Sequence, residues 1–344
     1  MLFTISLVLL GIFIFLCLCT LIANWCNGPI TDLTHSMKDK IVVITGASRG
    51  IGLETAKDLL RQGATVIIGC RDSVQANKAI DSIENFSQKK RCIYMHLDLT
   101  DYENIKTFVD EIKTKYGKID ILINNAGACF RNFTLSDGIE LTYFTNHLGH
   151  LILSCLLLNN FNNHGRIINV VTTKYKRIWE RTLDKFTSTS NIDFSWNRKS
   201  YDWMKTYILS KLAGVHLAQY LGDYCDNKKI DLKVVSVHPG FINNYFFREI
   251  EKHSLYMFIR DLIQTPYRLC CFKDNVMGAQ TTLHCCYMEW EQLSNGGYYR
   301  DCHYEQLTSI GLLKNAQKLI AFDKAIIERN NIVRGNKEVM QIFQ

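Results

Sequence analysis

Only 3 of the 344 residues are proline, and the chain holds no internal repeat and no low-complexity stretch, which excludes solenoids, repeat arrays and Pro-rich linkers. None of the 13 cysteines stands in a C-x-x-C pair; they are scattered singly and as the neighbours Cys270-Cys271 and Cys285-Cys286. That pattern argues against a zinc site or a disulfide framework and for free thiols in a reducing compartment, so no metal is expected. The basic excess is only +7 and is nowhere gathered into a basic block, which removes nucleic acid from the expected partners. Charged side chains are absent altogether before Asp32. The uncharged run at 2–23 is long enough to cross a hydrocarbon layer of ~30 Å, so a lipid bilayer is an expected partner. The run reads as a transmembrane anchor at 1–24 followed by a linker at 25–37. A cleaved signal peptide fits less well, because no basic segment precedes the run and no A-x-A site follows it. Lys38 and Lys40 lie on its C-terminal side, which places the rest of the chain on the cytoplasmic face of a membrane, with the endoplasmic reticulum as the expected location.

What is present is enough apolar material for one full core: 47% of the residues are hydrophobic and 21% charged. Short apolar runs alternate with helical patterns. Strands are expected at 41–45, 65–69, 92–97 and 119–123, with helices at 51–61, 74–86 and 101–116 between them. A long helix at 135–158, a strand at 166–171, a helix at 202–224 and a strand at 232–237 continue the alternation. Continuous apolar strands separated by helices imply a parallel sheet covered on both faces. The expectation is a single α/β domain at 38–302, a doubly wound parallel sheet of the Rossmann kind with about six or seven strands. A C-terminal helical extension occupies 303–344, where Ala316, Leu319, Ile320, Ile326 and Ile327 recur at helical spacing and read as a docking face.

Between the first strand and its helix stands Thr45-Gly46-Ala47-Ser48-Arg49-Gly50-Ile51-Gly52. A glycine-rich turn there lets backbone N–H groups approach a pyrophosphate at a helix N-terminus. The second strand ends in Cys70-Arg71-Asp72. A carboxylate at the position of Cys70 would hold a ribose 2'-hydroxyl, whereas a 2'-phosphate needs cations, and Arg71 and Arg49 supply them. NADP(H) is therefore favoured. Asp72, 20 residues beyond Gly52, is the acid that speaks for NAD.

Further marks follow in order: Asp98-Leu99, Asn124-Asn125-Ala126-Gly127, Asn146-His147-Leu148-Gly149-His150 and His238-Pro239-Gly240. Together with T-G-x-x-x-G-I-G these resemble the short-chain dehydrogenase/reductase family over residues 38–302. The stretch from Lys199 to Ala213, the N-terminal run and Tyr298-Tyr299-Arg300-Asp301-Cys302 are similar to its retinol dehydrogenase branch. The resemblance implies cofactor contacts from Gly46, Ser48, Arg49, Gly50, Ile51 and Gly52. It implies that Asp98 and Leu99 lie at the adenine, that Asn125, Ala126 and Gly127 line the cofactor cleft, and that Pro239, Gly240 and Ile242 lie beside the nicotinamide.

Carbonyl reduction needs a hydride and a proton. A phenol can give the proton if a nearby cation lowers its pKa from ~10 toward neutrality, an effect worth about 4 kcal/mol for three pH units. A lysine four residues on shares the helical face of a tyrosine. Such pairs occur as Tyr102/Lys106, Tyr201/Lys205, Tyr207/Lys211 and Tyr224/Lys228. Tyr102 and Tyr224 read as solvated helix-end positions. Tyr201 and Tyr207 are expected on one helix about 120° apart, each on an apolar face, so periodicity does not choose between them. The family's Y-x-x-S-K form selects Tyr207 and Lys211, which would also hold the nicotinamide ribose. The resemblance further implies a substrate-orienting hydroxyl at Thr172, or alternatively Thr173, and a water-holding asparagine at Asn146. Asn244 stands where the family often has a threonine.

The expected function is interconversion of a lipophilic alcohol and its aldehyde or ketone, of retinoid, steroid or long-chain type. The alternative is a membrane-bound NADP(H)-binding sensor or scaffold that has lost chemistry, suggested by threonine in place of serine and by Asn244. The apolar segment 241–262 reads as cover for a lipophilic substrate, or more plainly as a lid or a homodimer surface.

Overall fold

The computed structural model describes residues 28–31, 35–87, 91–172, 201–242, 272–307 and 313–343, with 14, 17, 20 and 21 besides. The expected anchor at 1–24 falls almost wholly outside them. Among the described residues no helix is long and apolar enough to cross a membrane.

Ten strands are present among the described residues: β1 Ile41–Thr45, β2 Thr65–Cys70, β3 Cys92–His96, β4 Ile119–Asn124, β5 Leu135–Ser136, β6 Ile139–Glu140, β7 Phe161–Val170, β8 Leu232–His238, β9 Tyr298–Arg300 and β10 His303–Tyr304. The helices are α1 Gly50–Arg61, α2 Ser73–Ser87 and α3 Tyr102–Tyr116, then a composite α4 made of Leu141–Tyr143, a π-helical turn Phe144–Leu148 and Gly149–Leu157. After these come α5 Trp203–Lys228, α6 Asn275–Tyr287, α7 Leu313–Arg329 and α8 Lys337–Gln341.

Eight strands form one sheet in the order β10-β9-β8-β7-β4-β1-β2-β3. All neighbours pair parallel except β10, which closes the edge antiparallel to β9. Alternate strand residues point to opposite faces. Val43, Ile67, Leu122, Ile167 and Val234 share one core with α3, α4, α5 and α7. Val42, Ile44, Val66, Ile68, Ile123 and Val235 share the other with α1 and α6. Burial on both faces explains why these strands are runs such as IVVIT and TVIIGC rather than polar–apolar alternations. The chain runs from β1 outward through β2 to β3, then returns to build β4, β7 and β8 on the other side. The reversal between β1 and β4 opens a crevice at the strands' carboxyl ends.

Two expectations are corrected. The segment expected to begin a helix at 135 starts instead with the β5–β6 hairpin, because Asp137 (φ 49) and Gly138 (φ 75) make a two-residue turn with both residues left-handed. The sheet also gains β9 and β10, which are too short for periodicity to reveal; Tyr298 and Tyr299 of β9 are buried.

The C-terminal helix α7 packs on α5 and carries Asp323, which is 0% exposed. Its carboxylate accepts from the Tyr143 hydroxyl at 2.7 Å and lies 2.7 Å from His147 Nε2. Truncating it would strand two buried polar groups. Asp323→Ala should lower the unfolding free energy by ~3 kcal/mol in urea melts, and a loss below ~1 kcal/mol would show that the cluster contributes little.

Candidate active site

The glycine-rich turn is shaped by what surrounds it. Gly46 has φ 67, a region that disfavours side chains, and a Cβ there would stand 2.8 Å from Ala126 Cα. At Gly52 a Cβ would collide with the Asn125 amide. At Gly50, by contrast, a Cβ would meet nothing nearer than Asn275 Oδ1 at 4.0 Å. The turn is thus packed against β4's end on one side and open on the other. Arg49 precedes α1 and does not cap it with its side chain, so the first turn of α1 is suited to an anion such as a diphosphate. These residues fit a dinucleotide.

The Asn125 backbone N–H donates to Thr45 Oγ1 at 3.0 Å, and its amide donates to Thr45 O at 2.9 Å and Gly46 O at 3.2 Å. Ala126 N–H also donates to Thr45 Oγ1, at 2.9 Å. At the end of β2, Ser48 hydrogen-bonds the Cys70 thiol, whose pKa burial raises. Arg49 and Arg71 are exposed. Asp98 Oδ1 accepts from Thr100 N and Oγ1 at 2.9 and 2.7 Å, and Leu99 is buried against Gly149 of α4.

At the other end, Asn146 lies in the π turn of α4. Its Oδ1 accepts from Ala128 N at 2.7 Å, and its amide donates to Ala128 O and Ser210 Oγ, both at 2.9 Å. Ser210 in turn donates to Tyr207 O at 2.8 Å. Lys211, one turn beyond half-buried Tyr207 on α5, is 7% exposed and donates at 3.0 Å to the carbonyl of Val170, the last residue of β7 and two before Thr172 in the chain. A Cβ on Gly127 would lie 3.2 Å from Lys211 Nζ and 3.7 Å from Asn146 Oδ1, so those two groups flank it. Burial lowers the Lys211 amine to about 8. Gly240, with φ 88, and Ile242 follow Pro239 beyond β8, where Ile242 bridges to Lys273. Thr173 and Asn244 lie outside the described residues.

A family model described as short chain dehydrogenase matches residues 40–180. Retinol dehydrogenase 11 of Homo sapiens is 30% identical over 287 residues, covering 80% of this chain and 82% of that protein. The chloroplastic short-chain dehydrogenase TIC 32 B of Brassica napus is 32% identical over 284 residues, covering 79% and 84%. The chain belongs to the short chain dehydrogenase family. A solved structure of an uncharacterized protein from Mycobacterium paratuberculosis, 24% identical, matches with a TM-score of 0.64 over 87% of this chain and 98% of that one; that likeness concerns the fold alone. As a member of the family the protein is an oxidoreductase of a nicotinamide cofactor, with a small alcohol or carbonyl substrate.

The family model's match ends at residue 180, before α5, so it does not itself choose among the tyrosines, and their surroundings are compared. Tyr102 is buried in the core rather than solvated. Tyr224 is half-buried, with Lys228 5.9 Å from its ring centroid. Tyr201 does not share Tyr207's helix: Asp202 caps α5, its Oδ1 accepting from Met204 N and Lys205 N at 3.0 and 3.1 Å. The Tyr201 hydroxyl lies 2.6 Å from Phe130 O and 2.8 Å from Glu140 Oε1. Burial, then Glu140, pushes its pKa well above the usual phenol, which makes Tyr201 a fixed donor and a poor proton exchanger. Sequence reasoning missed Ser210 as the link from Asn146 to α5, and His150 on α4. A histidine one turn after Asn146 is the signal that could have found the latter.

A lysine held near 8 when folded and near 10.5 when unfolded carries its proton at a cost below pH 8. From pH 8 to 10.5 the unfolded chain binds the extra proton, so stability rises with pH over that window. Lys211→Met should therefore make the cofactor-free protein more stable at pH 7, by up to ~3 kcal/mol, with the gain fading toward pH 10.5. Urea unfolding at a series of pH values reads this; a gain that does not change with pH would contradict the buried amine.

Proposed function

We propose that the protein is an NADP(H)-dependent alcohol dehydrogenase or carbonyl reductase for lipophilic substrates, with Tyr207 as its acid/base. The observation that carries this reading is the Lys211 amine, desolvated and one helical turn from Tyr207, beside the end of β7. A bound nicotinamide supplies or accepts the hydride. Lys211 in its protonated form stabilises the Tyr207 phenolate and brings the phenol into a range where it can exchange a proton. Thr172, or else Thr173, orients the substrate oxygen, and Asn146 links Lys211 to solvent through water.

The NADP(H) preference draws on Asp72. Its Oδ1 accepts from Gln75 N–H at 2.9 Å, which engages it at the start of α2, while Arg49 and Arg71 offer exposed cations for a 2'-phosphate. The lipophilic class draws on relatives named retinol dehydrogenases and on the uncharged run at 2–23. That run is proposed to anchor the domain at a membrane, in the endoplasmic reticulum with the catalytic domain facing the cytoplasm.

Tyr207→Phe should reduce NADPH-dependent reduction of a long-chain aldehyde by ~1,000-fold or more in kcat, with NADPH binding held within a few fold; surviving turnover would sink the assignment. Arg71→Ala should weaken NADPH by roughly 10-fold and leave NADH nearly unchanged. Equal losses for the two cofactors in fluorescence titration would overturn the 2'-phosphate role.

A further inference from the structure

His150 lies on α4 one turn beyond Asn146 and is 3% exposed. Its ring spans two groups that belong to different halves of the site. Nδ1 is 3.0 Å from Asn146 O, and Nε2 is 2.9 Å from Thr45 Oγ1. A carbonyl can only accept, so Nδ1 carries the proton. The Thr45 hydroxyl already accepts from Asn125 N and Ala126 N; its own proton has two acceptors in reach, Nε2 at 2.9 Å and Ile123 O at 3.4 Å, and the shorter contact is the one to Nε2. Burial lowers the imidazole to about 3, so the ring stays neutral with one donor and one acceptor in use.

The bonds then form one directed path. Asn125 and Ala126 N–H groups donate to Thr45, Thr45 to His150, and His150 to the Asn146 carbonyl. From Asn146 the amide donates to Ser210, and Ser210 to the Tyr207 carbonyl. The backbone register is offset at this point, because the Gly149 N–H bonds Phe144 O, five residues back. Buried, fully paired networks of this kind hold geometry tightly.

We propose that His150 is a positioning residue that ties the glycine-rich turn to the Tyr207–Lys211 helix through Asn146. The seating of a diphosphate in the turn and the alignment of the acid/base pair are then one geometry. This rests on the reading of Tyr207 and Lys211 given above. Only a neutral imidazole offers a donor at the δ position and an acceptor at the ε position of a rigid ring; phenylalanine fills the space with neither, and asparagine can restore the δ donor alone.

The test uses the full-length enzyme with NADPH and a long-chain aldehyde. His150→Phe is expected to lower kcat by at least ~10-fold while the NADPH dissociation constant stays within ~3-fold, and to shift the limb of the pH–rate profile. His150→Asn, which can restore the bond to Asn146 O but not the one to Thr45, is expected to recover only part of kcat. An unchanged kcat and profile in His150→Phe overturns the proposal. So does a variant whose kcat falls only in step with its melting temperature and is not rescued by His150→Asn. A readout independent of turnover is the ¹⁵N spectrum of the imidazole, which should show a neutral Nδ1–H ring from pH 5 to 9; a ring titrating near the ordinary histidine value overturns the tie. Wild-type enzyme without turnover would instead count against Tyr207 as acid/base and leave the imidazole spectrum to decide for His150.

Discussion

The contact between the ends of β1 and β4 is the constraint on which the rest of the site depends. Backbone meets backbone there without room for a Cβ at Gly46 or Gly52, and Asn125 and Ala126 spend three hydrogen-bond donors on Thr45 and another on Gly46. A parallel sheet whose strand order reverses between these two strands leaves a crevice at just this place. The turn must be stiff to present N–H groups to an anion, and its stiffness comes from β4 rather than from its own residues.

Charge is arranged on the same principle of burial against specific partners. Lys211 and Glu140 are both buried charged groups of the same α4–α5 neighbourhood. Glu140 takes bonds from Tyr143 N, Thr142 Oγ1 and Tyr201, which locks the start of α4. Lys211 is bonded to one carbonyl, Val170 O, and pays for its desolvation in proton affinity. The two carry opposite consequences for neighbouring phenols: a carboxylate raises the Tyr201 pKa, whereas a protonated amine stabilises a phenolate. Two tyrosines six residues apart are thereby separated into a fixed strut and a proposed proton carrier.

Much of this was legible in the chain. Strands buried on both faces are continuous apolar runs, so β1, β2, β4 and β8 announce themselves, and the glycine spacing after β1 marks the tight turn there. Where local chemistry competes with periodicity, reading fails. Asp137-Gly138 turns the chain before α4 can begin, and Asp202 caps α5 one residue after Tyr201, which removes that tyrosine from the helix on which it was expected. The strands β9 and β10 are three and two residues long, too short to show a period, and owe their existence to the edge of β8. The roles of Ser210 and His150 are invisible for a different reason: each joins a near neighbour to one partner at long sequence separation, Asn146 for Ser210 and Thr45 for His150, and no local pattern encodes the distant half.

The π turn of α4 is held from both sides. His150 fastens it to the glycine-rich turn, and His147, three residues earlier, fastens it to Asp323 on α7. Asn146 immediately precedes His147 and lies one turn before His150, so the backbone at this point is tied both to the glycine-rich turn and to a C-terminal helix. A π turn lacks the regular bonding that would fix a side chain's direction by helix geometry alone, and the two side-chain ties replace it. The C-terminal helix is therefore tied to the turn that carries Asn146, and damage to α7 would reach that turn through His147 as well as α5 through direct packing.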